Sequence, residues 1–193
     1  MNYFIEVITQ NKAKTDIDTI YKQLGYTNLT PMRKSINPVS RFIVKFIGVM
    51  RILTKLRKDD TLFLQYPMKK FYFMACTFAH WRGAKVVTII HDLGAFRRHK
   101  LTAEQENRRL RKTDFLIAHN ETMKQYLIDH RFTNRVEALG IFDYLSNTSP
   151  KRYATPHTPR RVVYAGGLHQ WRTPFLYKLE PYMQSWQMEL YGP

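Results

Sequence analysis

Short apolar runs alternate with longer stretches of helical period along most of this chain. Tyr3–Thr9 (YFIEVIT) opens the series as a strand. Lys14–Gly25 follows, with Ile17, Ile20, Tyr21 and Leu24 on one helical face and Gly25 as a stop. A long helix is expected from Pro38 to about Lys58. The strand Thr61–Pro67, the helix Lys70–Gly83, the strand Lys85–Asp92 and the helix Thr102–Thr113 come next. The strand Asp114–Asn120, the helix Glu121–Phe132 and the strand Arg135–Phe142 close the first part. Strands that alternate with helices imply right-handed crossovers, hence an α/β fold with a doubly wound, mainly parallel, Rossmann-like sheet. Lys85–Asp92 and Asp114–Asn120 are nearly continuous in apolar residues, as a strand needs to be when helices cover both of its faces.

The pattern breaks at SNTSPKRYATPHTPRR, which is rich in Pro, Ser and Thr and has no apolar period. It then restarts with the strand RVVYAGGL, a helix in TPFLYKLEPYMQ and a strand in WQMELYGP. Residues 1–148 are therefore read as one domain, 149–160 as a linker and 161–193 as the first strand-helix-strand of a second Rossmann-like unit. One such unit cannot bury both of its faces, so the sequence is expected to be the front part of a longer protein.

Charge sharpens the picture. The formal net charge is +16. Self-repulsion on that scale favours an anionic partner, and phosphate in some form is expected. The lone Cys76 lies in the apolar stretch FYFMACTFAHW, which excludes a disulfide framework and a cysteine-based zinc site. His130 and His157 have no partner at ligand spacing, and no metal is expected. The acidic pair of Asp16 and Asp18 falls in a helical pattern, and its carboxylates are expected to point into solvent. The N-terminus has no signal-peptide pattern, and Lys45 and Arg51 interrupt the longest apolar run. A cytoplasmic chain is expected.

In parallel sheets, ligands sit outside the carboxyl ends of the strands. The polar residues there are Thr9 and Gln10, Gln65 and Tyr66, His91 and Asp92, His119 and Asn120, and Gly166 and Gly167. His91 and Asp92 end their strand either to meet a ligand or to cap the loop. Asn120 either lines the same crevice or caps the helix that follows it. The turn YAGGLHQWRTP, between a strand and a helix, has the order that lets amides hold a phosphate, with Arg172 and Thr173 to assist, or it is a plain tight turn. In the long helix Arg41, Lys45, Arg51, Lys55 and Lys58 form one stripe that also holds Val44, Gly48 and Ile52. Anionic headgroups or solvent would suit that stripe. Arg97 and Arg98 add a second basic cluster, and the absence of a nucleic-acid-binding motif argues against nucleic acid.

Taken together, KVVTIIHDLGAFRR, LIAHN before a helix, the Pro-rich linker and VVYAGGLHQWRTPFLYKL resemble bacterial GT-B glycosyltransferases. The resemblance is to the group that includes galactofuranosyltransferases and related sugar transferases of polysaccharide assembly. It implies an acceptor-side domain and a nucleotide-sugar domain on either side of a cleft, and hexosyl transfer without a metal. The donor would be a UDP-linked nucleotide-sugar, and no separate cofactor is implied. The acceptor would be a glycan or lipid-linked, at the inner face of an anionic membrane. His91 or Asp92 would orient or deprotonate the acceptor hydroxyl, and Gln65, Tyr66 and Asn120 would line the acceptor cleft. Gly166, Gly167, Arg172 and Thr173 would hold the donor diphosphate. Arg41, Lys45, Arg51, Lys55, Arg97 and Arg98 would face the membrane or another anion. The loop Thr9–Lys14 lacks the glycines common in the wider superfamily. Most of the donor domain would lie past Pro193, so this chain alone is expected to be inactive. The alternative is a non-catalytic basic module that binds anionic membrane or nucleic acid.

Overall fold

The computed structural model describes residues 1–7, 9, 11–30, 37–68, 71–97, 101–132, 135–140, 145–146, 149, 161–171, 173–182 and 187–192. The chain divides into two compact units, Met1–Ser146 and Asn147–Pro193. The expected linker lies, apart from residue 149, outside the described residues.

In the first unit the elements run β1 (Asn2–Phe4), α1 (Lys12–Gln23), β2 (Thr27–Asn28), α2 (Pro38–Lys55), β3 (Thr61–Tyr66) and α3 (Phe71–Trp81). They continue as β4 (Lys85–Ile90), α4 (Gly94–Arg97), α5 (Ala103–Leu110), β5 (Phe115–Ala118), α6 (Glu121–Asp129) and β6 (Arg135–Ala138). Helix starts follow local chemistry. Asn37 caps α2 and Asn120 caps α6, each side chain accepting a backbone N–H three residues on, and Thr102 with Gln105 forms a capping box on α5. The short strand β2 and the helix α4 carry no periodic signal in the sequence.

The six strands form one parallel sheet in the order β2-β1-β3-β4-β5-β6. After β1 the chain lays β2 on one side and then crosses to β3 on the other. The winding therefore reverses between β1 and β3, at the topological switch point where such sheets take ligands.

Strand alternation sorts the core into two layers. Leu62, Leu64, Val86, Ile90 and Leu116 turn to one face, with α2, α3, α5 and α6 contributing Val49, Ile52, Ala75, Leu110 and Leu127. Phe4, Phe63, Ile89 and Ile117 turn to the other face, against Ile17, Ile20 and Tyr21 of α1. There Tyr21 stacks on Tyr26 and both meet Phe63 at a tilt, with ring centroids 4.8–5.5 Å apart, a geometry that adds about 0.5–1.5 kcal/mol per pair to area burial.

Helix α2 sits with the opposite side inward from the one the basic stripe implies. Val44, Gly48 and Ile52, read from the sequence as headgroup contacts, are core residues. At Gly48 an added Cβ would lie 3.4 Å from Thr30 Oγ1 and 3.5 Å from Thr30 Cα, in ordinary contact, so this side of α2 packs directly on the segment that follows β2. Val39, Phe42, Ile43, Phe46, Ile47 and Met50 are left exposed on the far side. The basic residues border the buried side. Arg51 donates from Nη1 to the Leu29 carbonyl at 3.2 Å, and Lys45 is half-buried. Arg41, Lys55 and Lys58 stay exposed, Lys58 beyond the end of the helix. Among the described residues, no helix is long and apolar enough to cross a membrane.

The second unit holds β7 (Arg161–Ala165), α7 (Pro174–Lys178) and β8 (Gln187–Tyr191), with β7 and β8 paired in parallel. Helix α7 is much shorter than the periodicity predicts, because Pro181 stands where it would continue, and a single 3-10 turn at Glu180–Tyr182 takes its place.

Candidate functional site

The face of the sheet that carries Phe63, Ile89 and Ile117 continues, two residues further along each strand, into Gln65, His91 and His119. Period-two alternation puts all three on the side of α1, at the carboxyl ends of β3, β4 and β5. Asp18 meets them from α1.

Gln65 is almost fully buried. Its Nε2 donates to the Lys14 carbonyl at 3.1 Å and to Asp18 Oδ1 at 2.6 Å, and its Oε1 lies 2.7 Å from His91 Nε2. Asp18 Oδ2 accepts the Val7 N–H at 2.9 Å, which ties the loop after β1 to the same group. The rings of His91 and His119 meet edge to face, 5.5 Å between centroids. The His91 backbone N–H donates to the Tyr66 carbonyl at 3.0 Å.

Burial acts on these groups in opposite directions. It pushes the Asp18 carboxyl up to about 7, against two hydrogen-bond donors and Lys22 that pull it down, with Glu6 adding to the rise. It holds His91 down at about 3, helped by Lys14 and His119. His119 is also lowered by burial, against the pull of Asp92. At neutral pH His91 is thus an uncharged imidazole, a good hydrogen-bond partner and a weak proton acceptor.

A second buried carboxylate fixes the rim. Glu106 of α5, fully buried, accepts the Tyr66 hydroxyl at 2.9 Å and the backbone N–H groups of Gly94 and Ala95 at 2.8 and 2.9 Å. It therefore joins the end of β3 to the loop that carries Asp92. Asp92 itself is half-buried.

The sequence-predicted residues are not all placed alike. His91 and Asp92 stand together at the end of β4, as their position requires. Gln65 and Tyr66 are buried, with their polar atoms bonded to Asp18, Lys14, His91 and Glu106, so they support the site from beneath instead of lining it. Asn120 spends its side chain on the Met123 N–H, 2.9 Å away. The expectation that Asp16 and Asp18 face solvent is overturned. Both are buried, and Asp16 accepts from Lys12 and from the Leu145 N–H.

In the second unit, the Gly166 N–H donates to the Tyr191 carbonyl at 2.8 Å and so belongs to the strand ladder. Thr173 is buried, and its hydroxyl lies 3.3 and 3.2 Å from the carbonyls of Gly167 and His169. Gly167 is the residue of the turn with open space around it. Arg172 and Arg98 lie outside the described residues, and Arg97 belongs to α4. Among the described residues, no three His, Cys, Asp or Glu side chains gather as a metal site would need.

Over residues 4–141, which include Asp18, Gln65, His91 and His119, the chain matches the family described as glucosyltransferase 3-like, N-terminal domain. It is also similar to the beta-1,6-galactofuranosyltransferase WbbI of Escherichia coli (strain K12), with 27% identity over 167 residues, covering 86% of this chain and 48% of that protein. The chain spans about half the length of this curated relative.

Proposed function

This chain belongs to the glucosyltransferase 3-like family, and from that premise we propose that it forms the acceptor side of a glycosyltransferase of polysaccharide assembly. The observation that carries the reading is the group of Gln65, His91, His119 and Asp92 at the carboxyl ends of β3, β4 and β5, beside the switch point of a parallel sheet. The family description favours glucose as the transferred sugar, and the similarity to WbbI favours galactofuranose.

The acceptor hydroxyl would attack the anomeric carbon of a nucleotide-sugar. The new bond forms from the hydroxyl oxygen to that carbon, and the bond from the carbon to the diphosphate breaks, releasing a nucleoside diphosphate. His91, with Nε2 held by Gln65 and Nδ1 buried, fixes the end of β4, and the neighbouring half-buried Asp92 carboxylate orients the hydroxyl and receives its proton. The leaving diphosphate needs donors that are already in place. We assign these to the turn after β7, where Gly167 is the open position, with Arg172 five residues further along the sequence as the cation. A lipid-linked acceptor would bring the protein to a membrane surface, where the outer face of α2 suits a contact held by apolar burial.

The experiment is calorimetric titration of nucleoside diphosphates, UDP-glucose and UDP-galactofuranose into this chain and into a protein extended to a complete second domain. Binding by the extended protein, with sugar transfer that falls at least about tenfold in His91→Ala, is the expected result. No binding by either form would replace the transferase reading with a non-catalytic module.

A further inference from the structure

Lys12 and Asp16 lie one turn apart on α1, an (i, i+4) pair whose side chains meet on one face of the helix. A pair of this kind on a solvated helix holds only itself. Here both members also reach the backbone of Leu145, 129 positions after Asp16. The Leu145 N–H donates to Asp16 Oδ2 at 3.0 Å, and Lys12 Nζ donates to the Leu145 carbonyl at 2.7 Å. Lys12 Nζ closes the group with contacts of 3.1 and 2.9 Å to the two Asp16 oxygens. A residue bonded through both its N–H and its carbonyl to one neighbour is held as it would be in a strand ladder, and here two side chains of a helix stand in for the strand. One bond comes from an ammonium and the other goes to a carboxylate, so both are charge-assisted and stronger than the neutral bonds of a ladder.

Apolar burial is not what holds this segment. Leu145 is 36% exposed, and Ser146 after it is exposed as well. Asp16 is only 7% exposed, a burial that a carboxylate tolerates when it is paired. The place of the contact gives it meaning, because Ser146 is the last residue of the first compact unit and Asn147 opens the second. We infer that Lys12 and Asp16 anchor the Leu145 backbone to α1, so that the first unit stays rigid as far as Leu145 and the pivot between the two units begins after it. Without the anchor, the tie left to the sheet among the described residues is the Leu139 N–H on the Ala118 carbonyl, at the end of β6. The tether between the units would then start six residues earlier, counting from Leu139 to Leu145. A shorter tether raises the effective concentration of one unit at the other, which is the use of such an anchor. The same helix carries Asp18, so the pivot is fixed to the element that also holds Gln65 at the strand ends. This role goes beyond the transferase reading and does not depend on it.

The test is NMR on the 193-residue chain at pH 7, reading amide hydrogen exchange and residual dipolar couplings at Leu145. In the wild type the Leu145 amide should exchange at least about tenfold more slowly than an unprotected amide. Its couplings should fit the same orientation as the strands of the first unit. An unprotected Leu145 amide, or couplings that do not fit, would overturn the anchor. In Asp16→Ala the Leu145 amide should exchange at the unprotected rate and its couplings should leave the fit, while the amides of Ile89 and Leu116 keep their protection. Leu145 protection that survives in a folded Asp16→Ala protein would overturn the role given to the pair. Lys12→Met leaves the Asp16 bond and removes the partner of the carbonyl, so exchange at Leu145 should rise several-fold, and an unchanged rate would strike Lys12 from the anchor. If Asp16→Ala does not fold, the wild-type couplings and Lys12→Met still decide. No sugar donor enters the measurement, so a failed anchor leaves the transferase reading standing, and absent transfer by the extended protein leaves the anchor untouched.

Discussion

The carboxyl end of the first unit's sheet and the turn after β7 in the second unit are both strand ends with polar residues, and they use those residues differently. In the first unit, side chains from α1, β3, β4 and α5 hold one another, and Gln65 and Glu106 sit beneath His91 and Asp92 as buried supports. In the turn of the second unit the groups that a phosphate would need are partly consumed at home, by the Tyr191 carbonyl and by the loop's own carbonyls. A glycine-rich turn is thus no guarantee of vacant amides. What decides is whether the neighbouring strand has already taken them.

The largest expected effect concerns the clamp under the first site. Glu106→Ala would leave two backbone donors and a buried phenol without their acceptor, at about 1–3 kcal/mol each. A loss of roughly 3 kcal/mol or more is expected in the denaturant unfolding of this chain. A loss under about 1 kcal/mol would mean that water replaces the carboxylate, and the two strand ends would then differ less than they do on this reading.

The next effect is a pH dependence. Asp18 has a folded pKa of about 7 against an ordinary 3.8, so between those values the folded chain holds the extra proton and stability falls as pH rises. The slope from this one group is at most about 1.4 kcal/mol per pH unit. His91 acts in the opposite sense. Its folded value of about 3 against 6.5 means that stability is present above 6.5 and is lost as pH falls towards 3. The two offset each other in the wild type. Asp18→Asn removes the first contribution, and unfolding midpoints between pH 4.5 and 6.5 should then rise more steeply with pH than in the wild type. Equal slopes in the two proteins would show that Asp18 titrates as an ordinary carboxyl.

The smallest change in stability is expected at Gly167, where an added Cβ meets nothing within 4 Å. Gly167→Ala should shift the melting midpoint hardly at all. In the extended protein it should nevertheless weaken nucleoside diphosphate binding several-fold by titration, because the methyl stands where the phosphate would approach the amide. Unchanged affinity would remove the turn from the donor site.

The parallel sheet, its winding and the strand-end location of His91 and Asp92 were legible in the sequence, because long apolar strands between periodic helices leave few alternatives. In the sequence both residues of each strand end fell in the crevice alike, and the two faces were not separated. Phe63 and Gln65, Ile89 and His91, and Ile117 and His119 are pairs two residues apart, and the first member of each pair lies in or against the apolar layer over α1. Asp18 was not legible, since a charged helical residue is normally solvated and only the arrival of Gln65 from β3, 47 positions away, gives it a buried partner. The orientation of α2 was misread as well: its buried side carries Val44, Gly48, Val49 and Ile52, while the bulkier Phe42 and Phe46 stay exposed.

That orientation separates two kinds of force along a single helix. From Val39 to Met50 the outer face carries no charged side chain, whereas Arg41, Lys45, Arg51 and Lys55 lie towards the buried side and the ends. At about 0.15 M ionic strength, charges interact over roughly 8 Å before screening dominates, while apolar contact is strengthened by kosmotropic salts. Any contact made by the basic residues would therefore weaken with added salt, whereas any contact made by the outer face would persist in salt and yield to mild detergent.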